Sequence, residues 1–457
     1  MRSQVTAPSP TPRRRGRALA WLAAIGLVLS LPLAAAPASA DSVTATITVG
    51  YLPTQVAFSP SGTTAYVSNL LDSTVSVIDV ATATVTSVIT VGSSPRGIAV
   101  SPDGSKVFVA NLADSTVSVI STATASVIGS PIPVGLSPFG LAVSPDGARV
   151  YVTNSSAASV SVIDVGTAAV VNTIGVGFAP YAVAFAPNGL TAYVVNVASN
   201  SVTPITVATA TAGPEITVGD TPFAVAFSPD GSVAYVANLA AGTVSPITVA
   251  TATVGAPISV QLSPAGVAFS RDGTKAYITN NDSNSVSVIS VATQTVSATL
   301  PVGAGPIGVA FTPDGTLAYV VNANSNSVSV IEVDVLATLA APSTLPGAVR
   351  GSAFSFTVPL TLGTPAATFS LSGALPAGLS FNAATGVVSG TPTTLGPFSF
   401  TVSGVNAAGT ATATYTGSVA VAGVIAAGGT DAVAPLVGAL ALLAAGGVLM
   451  LRRRTAV

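Results

Sequence analysis

From Asp41 to Val335, apolar and polar positions alternate in short bursts separated by turn residues. The stretch Ser94 to Ile120 shows the unit. PRGIAV (95–100) is a short apolar strand, small enough for a crowded position. SPDGS (101–105) is a tight hairpin, because Pro presets φ and Asp-Gly tolerates the left-handed conformation. KVFVAN (106–111) and STVSVI (115–120) alternate at period two, as half-buried strands do. ATASVIGSPI (123–132) reads as a fourth strand. The unit recurs every 42 residues, once 43, and each copy opens on Val-Gly: Val49-Gly50, Val91-Gly92, Val134-Gly135, Val176-Gly177, Val218-Gly219 and Val302-Gly303. The sixth copy departs, with Val260-Gln261. Four short antiparallel strands per repeat of this length predict a seven-bladed β-propeller over 41–335. A β-helix would need shorter rungs, and a helical solenoid a 3.6 period.

The seventh copy stops at SVSVIEVDV (327–335) and lacks its fourth strand. SVTATI (42–47) aligns with TVTSVI (84–89), Val43 matching Val85 and Ile47 matching Ile89. Residues 41–48 are therefore expected to close the last blade and cover its open edge. After 335 the texture changes. Strand-like runs at 354–358, 367–371, 375–392, 398–409 and 410–421, broken by Gly, Pro and Asn, predict a β-sandwich over 336–421. No Cys is available to pin its sheets.

Both ends are apolar. A basic RRRGR (13–17), an apolar run (18–36) and Ala38-Ser39-Ala40 form an export signal, a signal helix within 1–40 cut between Ala40 and Asp41. A Gly/Ala linker (422–431) leads to an apolar run (432–451) long enough for a transmembrane helix, and the arginines at 452–454 keep the tail (452–457) cytoplasmic. The whole is an all-β chain, propeller then Ig-like sandwich, bounded by two membrane-directed helices.

The second strand of each repeat carries a fingerprint: Tyr66-Val67-Ser68-Asn69, Phe108-Val109-Ala110-Asn111, Tyr151-Val152-Thr153-Asn154, Tyr193-Val194-Val195-Asn196, Tyr235-Val236-Ala237-Asn238, Tyr277-Ile278-Thr279-Asn280 and Tyr319-Val320-Val321-Asn322. These units resemble the YVTN β-propeller repeats of bacterial and archaeal surface proteins. The run LPAGLSFNAATGVVSGTPT (375–393) resembles the Ig-like modules of bacterial surface proteins, which act as spacers or adhesive units. The tail resembles a Gram-positive cell-wall sorting signal. Its motif stretch reads Ile425-Ala426-Ala427-Gly428-Gly429, with Gly428 where the acylated Thr belongs, so membrane anchoring is favoured over covalent wall attachment.

Charge and composition narrow the function. Eight of the fourteen basic residues sit in the two ends, leaving the part between them at a net of −10. That balance opposes phosphate neutralisation, so nucleic acid is not an expected partner. His and Cys are absent, which removes the commonest general base and metal ligands. Glu215 and Glu332, the only glutamates, are assigned to outer strands. No catalytic residue, metal or cofactor is assigned.

Three sets of residues are candidates. The Asn69, Asn111, Asn154, Asn196, Asn238, Asn280 and Asn322 carboxamides could ring a ligand. Equally they could end their strands and bond the loop backbone, and their uniformity favours that structural role. Asp72, Asp114 and Asp282 could meet Ca²⁺ or simply face solvent. The residue after the repeated Pro varies between blades: Thr54, Arg96, Phe139, Tyr181, Phe223, Ala265 and Ile307. It lies where the inner strand enters the channel. Arg96, Phe139, Tyr181, Phe223 and Ile307 are therefore the candidate ligand site, an aromatic arc beside one guanidinium, set against a packing role between blades. The resulting expectation is a cell-surface display protein, an exported and membrane- or wall-tethered chain that binds an extracellular glycan, peptide or protein. The alternative is an extracellular propeller enzyme of the lactonase or lyase kind.

Overall fold

The computed structural model describes residues 41–339, 345–364, 367–406 and 409–422. The signal segment with Ala40, the linker beyond Ala422, the apolar span 432–451 and the basic tail lie outside them. Among the described residues no helix is long and apolar enough to cross a membrane.

Residues 42–332 fold into seven antiparallel sheets, six of them built in sequence order from an inner to an outer strand and the last completed by Ser42–Thr48. Numbered as blades, they run 53–90, 95–133, 138–175, 180–217, 222–259, 264–301 and 306–332. The inner strand of each blade contacts the inner strands of both neighbours, and Pro306–Phe311 meets Pro53–Phe58, so the ring closes as a β-propeller. Apolar clusters fill the space between blades. The fingerprint Tyr of one blade meets a Phe on the inner strand of the next: Tyr151 with Phe185, Tyr193 with Phe227, Tyr235 with Phe269, Tyr277 with Phe311, at centroid distances of 4.6–4.8 Å. Across the seam, Tyr319 of blade 7 meets Phe58 of blade 1 at 4.9 Å, the same contact used for closure.

Ser42–Thr48 is the outer strand of blade 7. Val43 pairs Ile331 as Val85 pairs Ile78, and Ile47 pairs Val328 as Ile89 pairs Val75. Asp41, just before it, is buried. Its Oδ1 accepts from Lys275 Nζ (2.7 Å) and the Asp334 backbone N–H (2.8 Å), and its Oδ2 accepts from the Tyr277 hydroxyl (2.6 Å). Burial and the Asp41 carboxylate both push the Tyr277 hydroxyl's pKa up, which keeps it a donor. One carboxylate thus joins the first described residue to blade 6 and to the chain leaving blade 7.

Two assignments change. The fourth strand of blade 2 is not continuous over 123–132 but split into Ser126–Val127 and Ile132–Pro133, with similar splits in blades 4 and 5. Pro131, Pro214 and Pro257 fall in the breaks, where a residue without an N–H cannot extend a ladder. Glu332 ends the third strand of blade 7, because Ser42–Thr48 lies outside it.

The SPDG hairpins show why Asp is there. In blade 2, Asp103 Oδ1 accepts from the Ser101 hydroxyl (2.5 Å) and the Ser105 backbone N–H (3.0 Å). The Ser101 hydroxyl foremost, then the Ser105 N–H, holds the Asp103 carboxyl down to about 2. Asp146 and Asp230 are lowered by Ser144 and Ser228 in the same way. A carboxyl whose folded pKa lies below its unfolded value stabilises the fold above the unfolded value, and that support is lost as pH falls toward the folded one. The melting temperature should hold from neutral pH to about 5 and fall between about pH 4 and 2. Thermal melts check this, and the combined Asp103→Asn, Asp146→Asn and Asp230→Asn variant should flatten the fall. Asn188 already makes this turn in blade 4, accepting from the Leu190 N–H at 2.9 Å.

Residues 335–420 form a second β region around one core that includes Phe354, Val388, Phe400 and Tyr415. A four-stranded sheet runs Ala348–Val349, Gly409–Ala420, Gly396–Asn406, Thr368–Gly373, and a three-stranded sheet runs Phe354–Thr357, Val387–Gly390, Leu379–Asn382. Val335–Leu339 pairs Leu360–Thr364. The glycines of the LPAGLS…SGTPT run are forced. Gly378 (φ 92°) and Gly390 (φ 140°) pass so closely that a Cβ on Gly390 would lie 2.1 Å from the Gly378 carbonyl oxygen.

Candidate functional site

The seven inner strands run parallel around the channel and stack it in layers. The mouth layer is the variable one: Thr54, Arg96, Phe139, Tyr181, Phe223, Ala265 and Ile307. Beneath it lies a layer of mostly small residues, Gln55, Gly97, Gly140, Ala182, Ala224, Gly266 and Gly308, and then one of branched aliphatics, Val56, Ile98, Leu141, Val183, Val225, Val267 and Val309. The small layer is obligatory where inner strands abut. A Cβ on Gly140 would lie 2.4 Å from the Tyr181 carbonyl oxygen, and one on Gly266 2.1 Å from that of Ile307.

The mouth layer encloses a cavity of about 120 Å³, which all seven mouth residues line. That is smaller than the ~300–1,000 Å³ of drug-sized ligand sites, so it takes a small group or the tip of a larger ligand. Arg96, Phe139, Tyr181 and Phe223 meet there, though the rings are not splayed as an open arc. Phe139 and Tyr181 stack at 3.8 Å and 17°, and Phe223 stands edge-on to both, at 5.9 and 5.2 Å. The Arg96 guanidinium carbon sits 3.8 Å from the Phe139 centroid. Two groups at that distance occupy opposite faces of one ring, so Arg96, Phe139 and Tyr181 form a three-layer stack. It lines the blade 2–5 side of the mouth, facing Thr54, Ala265 and Ile307, which line the rest.

Sequence reasoning missed what holds this stack in place. The third letter of the fingerprint carries a hydroxyl in three blades, and each donates to the backbone carbonyl of a mouth residue in the next blade. Ser68 Oγ donates to Arg96 O (2.6 Å), Thr153 Oγ1 to Tyr181 O (2.7 Å) and Thr279 Oγ1 to Ile307 O (2.7 Å). Thr54 Oγ1 adds a second bond to Arg96 O (3.2 Å). The signal was present as Ser/Thr against Ala/Val at that letter. Ser68, Thr153 and Thr279 are positioning residues, acting through the backbone they fix.

Electrostatically the cavity is simple. Among the described residues Arg96 is its one charged residue, and no carboxylate lines it. Burial pulls the guanidinium down to about 10, with the nearby Tyr181 phenol working the other way, so it stays cationic at neutral pH.

The asparagines do not converge on the channel. Each is fully buried inside its own blade, and its Nδ2 donates to two third-strand hydroxyls, as Asn111 does to Thr116 (3.0 Å) and Ser118 (2.9 Å). The partner is thus a pair of hydroxyls rather than the loop backbone. The Val-Gly signature follows from this packing, since a Cβ on Gly92 would lie 2.5 Å from the Asn111 carboxamide. Asp72 and Asp114 tie loops by accepting from the Tyr51 and Ser93 backbone N–H groups (2.7 and 2.6 Å), and Asp282 accepts from the Ser263 hydroxyl. Glu215 accepts from the Ser201 hydroxyl. Among the described residues no group of three or more His, Cys, Asp or Glu side chains could hold a metal ion.

A closed ring of repeated antiparallel sheets with a layered channel defines a β-propeller protein. Family comparisons agree: residues 14–146 match the YNCE-like beta-propeller, 154–306 the Choice-of-anchor I domain, and 335–420 the family described as Putative Ig domain. The propeller region is thus similar to YNCE-like propellers, and the region after it to Ig domains. Among solved structures it is similar to a chain of Kuenenia stuttgartiensis Hydrazine Synthase, at 27% identity and a TM-score of 0.58, over 62% of this chain and 96% of that one. No curated protein matches the sequence.

Proposed function

We propose that this chain is a surface-displayed binding protein. A seven-bladed propeller head takes a ligand at its channel mouth, and an Ig-like sandwich serves as a spacer. The observation that carries the reading is the mouth layer. Seven repeats built alike vary at the position after the repeated Pro, and those seven side chains line one cavity. Packing alone would not call for an unpaired guanidinium there. The export pattern before Asp41, the apolar span 432–451 with its arginines, and the matches to an anchor-type domain and an Ig-type domain support placement outside the membrane, anchored at the C-terminal end.

The likeness to a hydrazine synthase chain favours a second reading, a propeller enzyme. At the mouth, proton transfer would fall to Arg96 and Tyr181, both poorly placed for it: one is held cationic, the other is stacked. A glycan and peptide array probed with the purified protein tests the binding reading. Hits should disappear with Ile307→Trp, which fills the side of the mouth facing the stack. Hits indifferent to Ile307→Trp and Tyr181→Ala would move the site elsewhere.

A further inference from the structure

We infer that the channel mouth recognises the free C-terminal carboxylate of a partner polypeptide with an apolar last residue. The inference rests on the binding reading above and names the ligand class of that site. Its first support is Arg96. The guanidinium is half-buried, makes no ion pair or side-chain hydrogen bond among the described residues, and is held on one face by Phe139. Removing water from a cation without an anion partner is unfavourable, so an arriving anion would be favoured there. Its forked N–H donors suit the two oxygens of a carboxylate.

The second support is the space beside the guanidinium. The rest of the mouth is lined by Thr54, Ala265 and Ile307, a mostly apolar wall for a small aliphatic side chain. Sugar stacking is disfavoured, because both faces of Phe139 and one face of Tyr181 are already covered.

The third support surrounds the mouth. Three residues before the mouth position, the loop entering the inner strand in four of the seven blades places Tyr51, Leu136, Phe178 and Leu262 in solvent, at 63–71% exposure, while the other three blades carry Ser93, Asp220 and Ala304 there. Leu71 joins them at 67% exposure, its N–H donating to the Tyr51 carbonyl. These side chains are aimed outward by fixed loops. The Tyr51, Phe178 and Leu262 N–H groups are tied to Asp72, Ser199 and Ser283, and the next residue takes a positive φ in Leu52, Ser137, Ala179 and Ser263. A rim whose exposed apolar side chains lie among the loop carboxylates Asp72, Asp114 and Asp220, above a single part-buried cation, fits a chain end that lays apolar preceding residues on the rim and its carboxylate on Arg96. A free inorganic anion would leave the rim unused.

The test is fluorescence anisotropy with the purified protein and a dye-labelled peptide ending in Phe-Leu, as the free acid and as the C-terminal amide. The free acid should bind at least tenfold more tightly. Arg96→Met should remove that preference and Arg96→Lys should keep part of it. Raising the salt should weaken the acid and leave the amide unchanged. Equal binding of acid and amide, both abolished by Ile307→Trp, would overturn the carboxylate inference and leave the mouth a binding site. Binding of neither peptide, while array hits still depend on Ile307, would overturn it as well. Loss of all Ile307-dependent binding would bring down the binding reading itself.

Discussion

Replacing Asp41 by Ala should lower propeller stability by about 3 kcal/mol, a loss of roughly 6–10 °C in melting temperature. The side chain is 4% exposed, and three donors from distant parts of the chain converge on it. Its removal leaves the Lys275 ammonium, the Tyr277 hydroxyl and the Asp334 N–H facing a hole rather than water. Asp41→Asn should fall between, since its carboxamide oxygen can keep one or two of the three bonds. Deleting 41–48 should do more. It strips six strand pairings from Ser327–Glu332, uncovers the buried Ile47 contact and leaves an open edge on blade 7. The expected result is a broadened, non-cooperative melt with aggregation. Thermal circular dichroism with light scattering measures both, and Thr46→Ala on the exposed face of the same strand is the control. A deletion variant that melts like the parent would show that the ring does not depend on this strand.

The clasp also shows where sequence reading stops. The period, the turn chemistry and the strand alternation are local, so the propeller is legible from 42 residues at a time. The closing strand is legible too, because a missing fourth strand at one end and a matching orphan at the other imply each other. Asp41 with Lys275 is not, since nothing in the pattern around either names a partner 234 positions away. The mouth divides the same way. Position identifies Arg96, Phe139, Tyr181 and Phe223 as neighbours, but whether rings splay or stack depends on rotamers and on the bore of the channel. The asparagines were readable further than they were read. Every one is followed by Ser or Thr at both the fifth and seventh positions, the two hydroxyls its carboxamide reaches.

The same logic links the small layer to the hydroxyls above it. Blades 3 and 6 combine Gly with Thr (Gly140 with Thr153, Gly266 with Thr279), and blades 4 and 5 combine Ala with an apolar letter (Ala182 with Val195, Ala224 with Ala237), whereas blades 2 and 7 keep Gly without a hydroxyl (Gly97 with Ala110, Gly308 with Val321) and blade 1 pairs Gln55 with Ser68. Thr279 pulls the Ile307 carbonyl in at 2.7 Å, and a Cβ on Gly266 would then lie 2.8 Å from Thr279 Oγ1 as well as against that carbonyl. Gly266→Ala should therefore destabilise by about 3 kcal/mol, because neither the carbonyl nor the hydroxyl can yield without breaking their bond. Adding Thr279→Val should recover part of the loss, since without the hydroxyl the next inner strand can withdraw as in blade 4. A double-mutant cycle by denaturant unfolding measures this, with an expected coupling of about 1–2 kcal/mol. Because Gly140 and Thr153 hold Tyr181 in the same way, Gly140→Ala should also disturb the ring stack and change the near-ultraviolet circular dichroism. Gly266→Ala, on the side of the mouth facing the stack, should leave that signal intact.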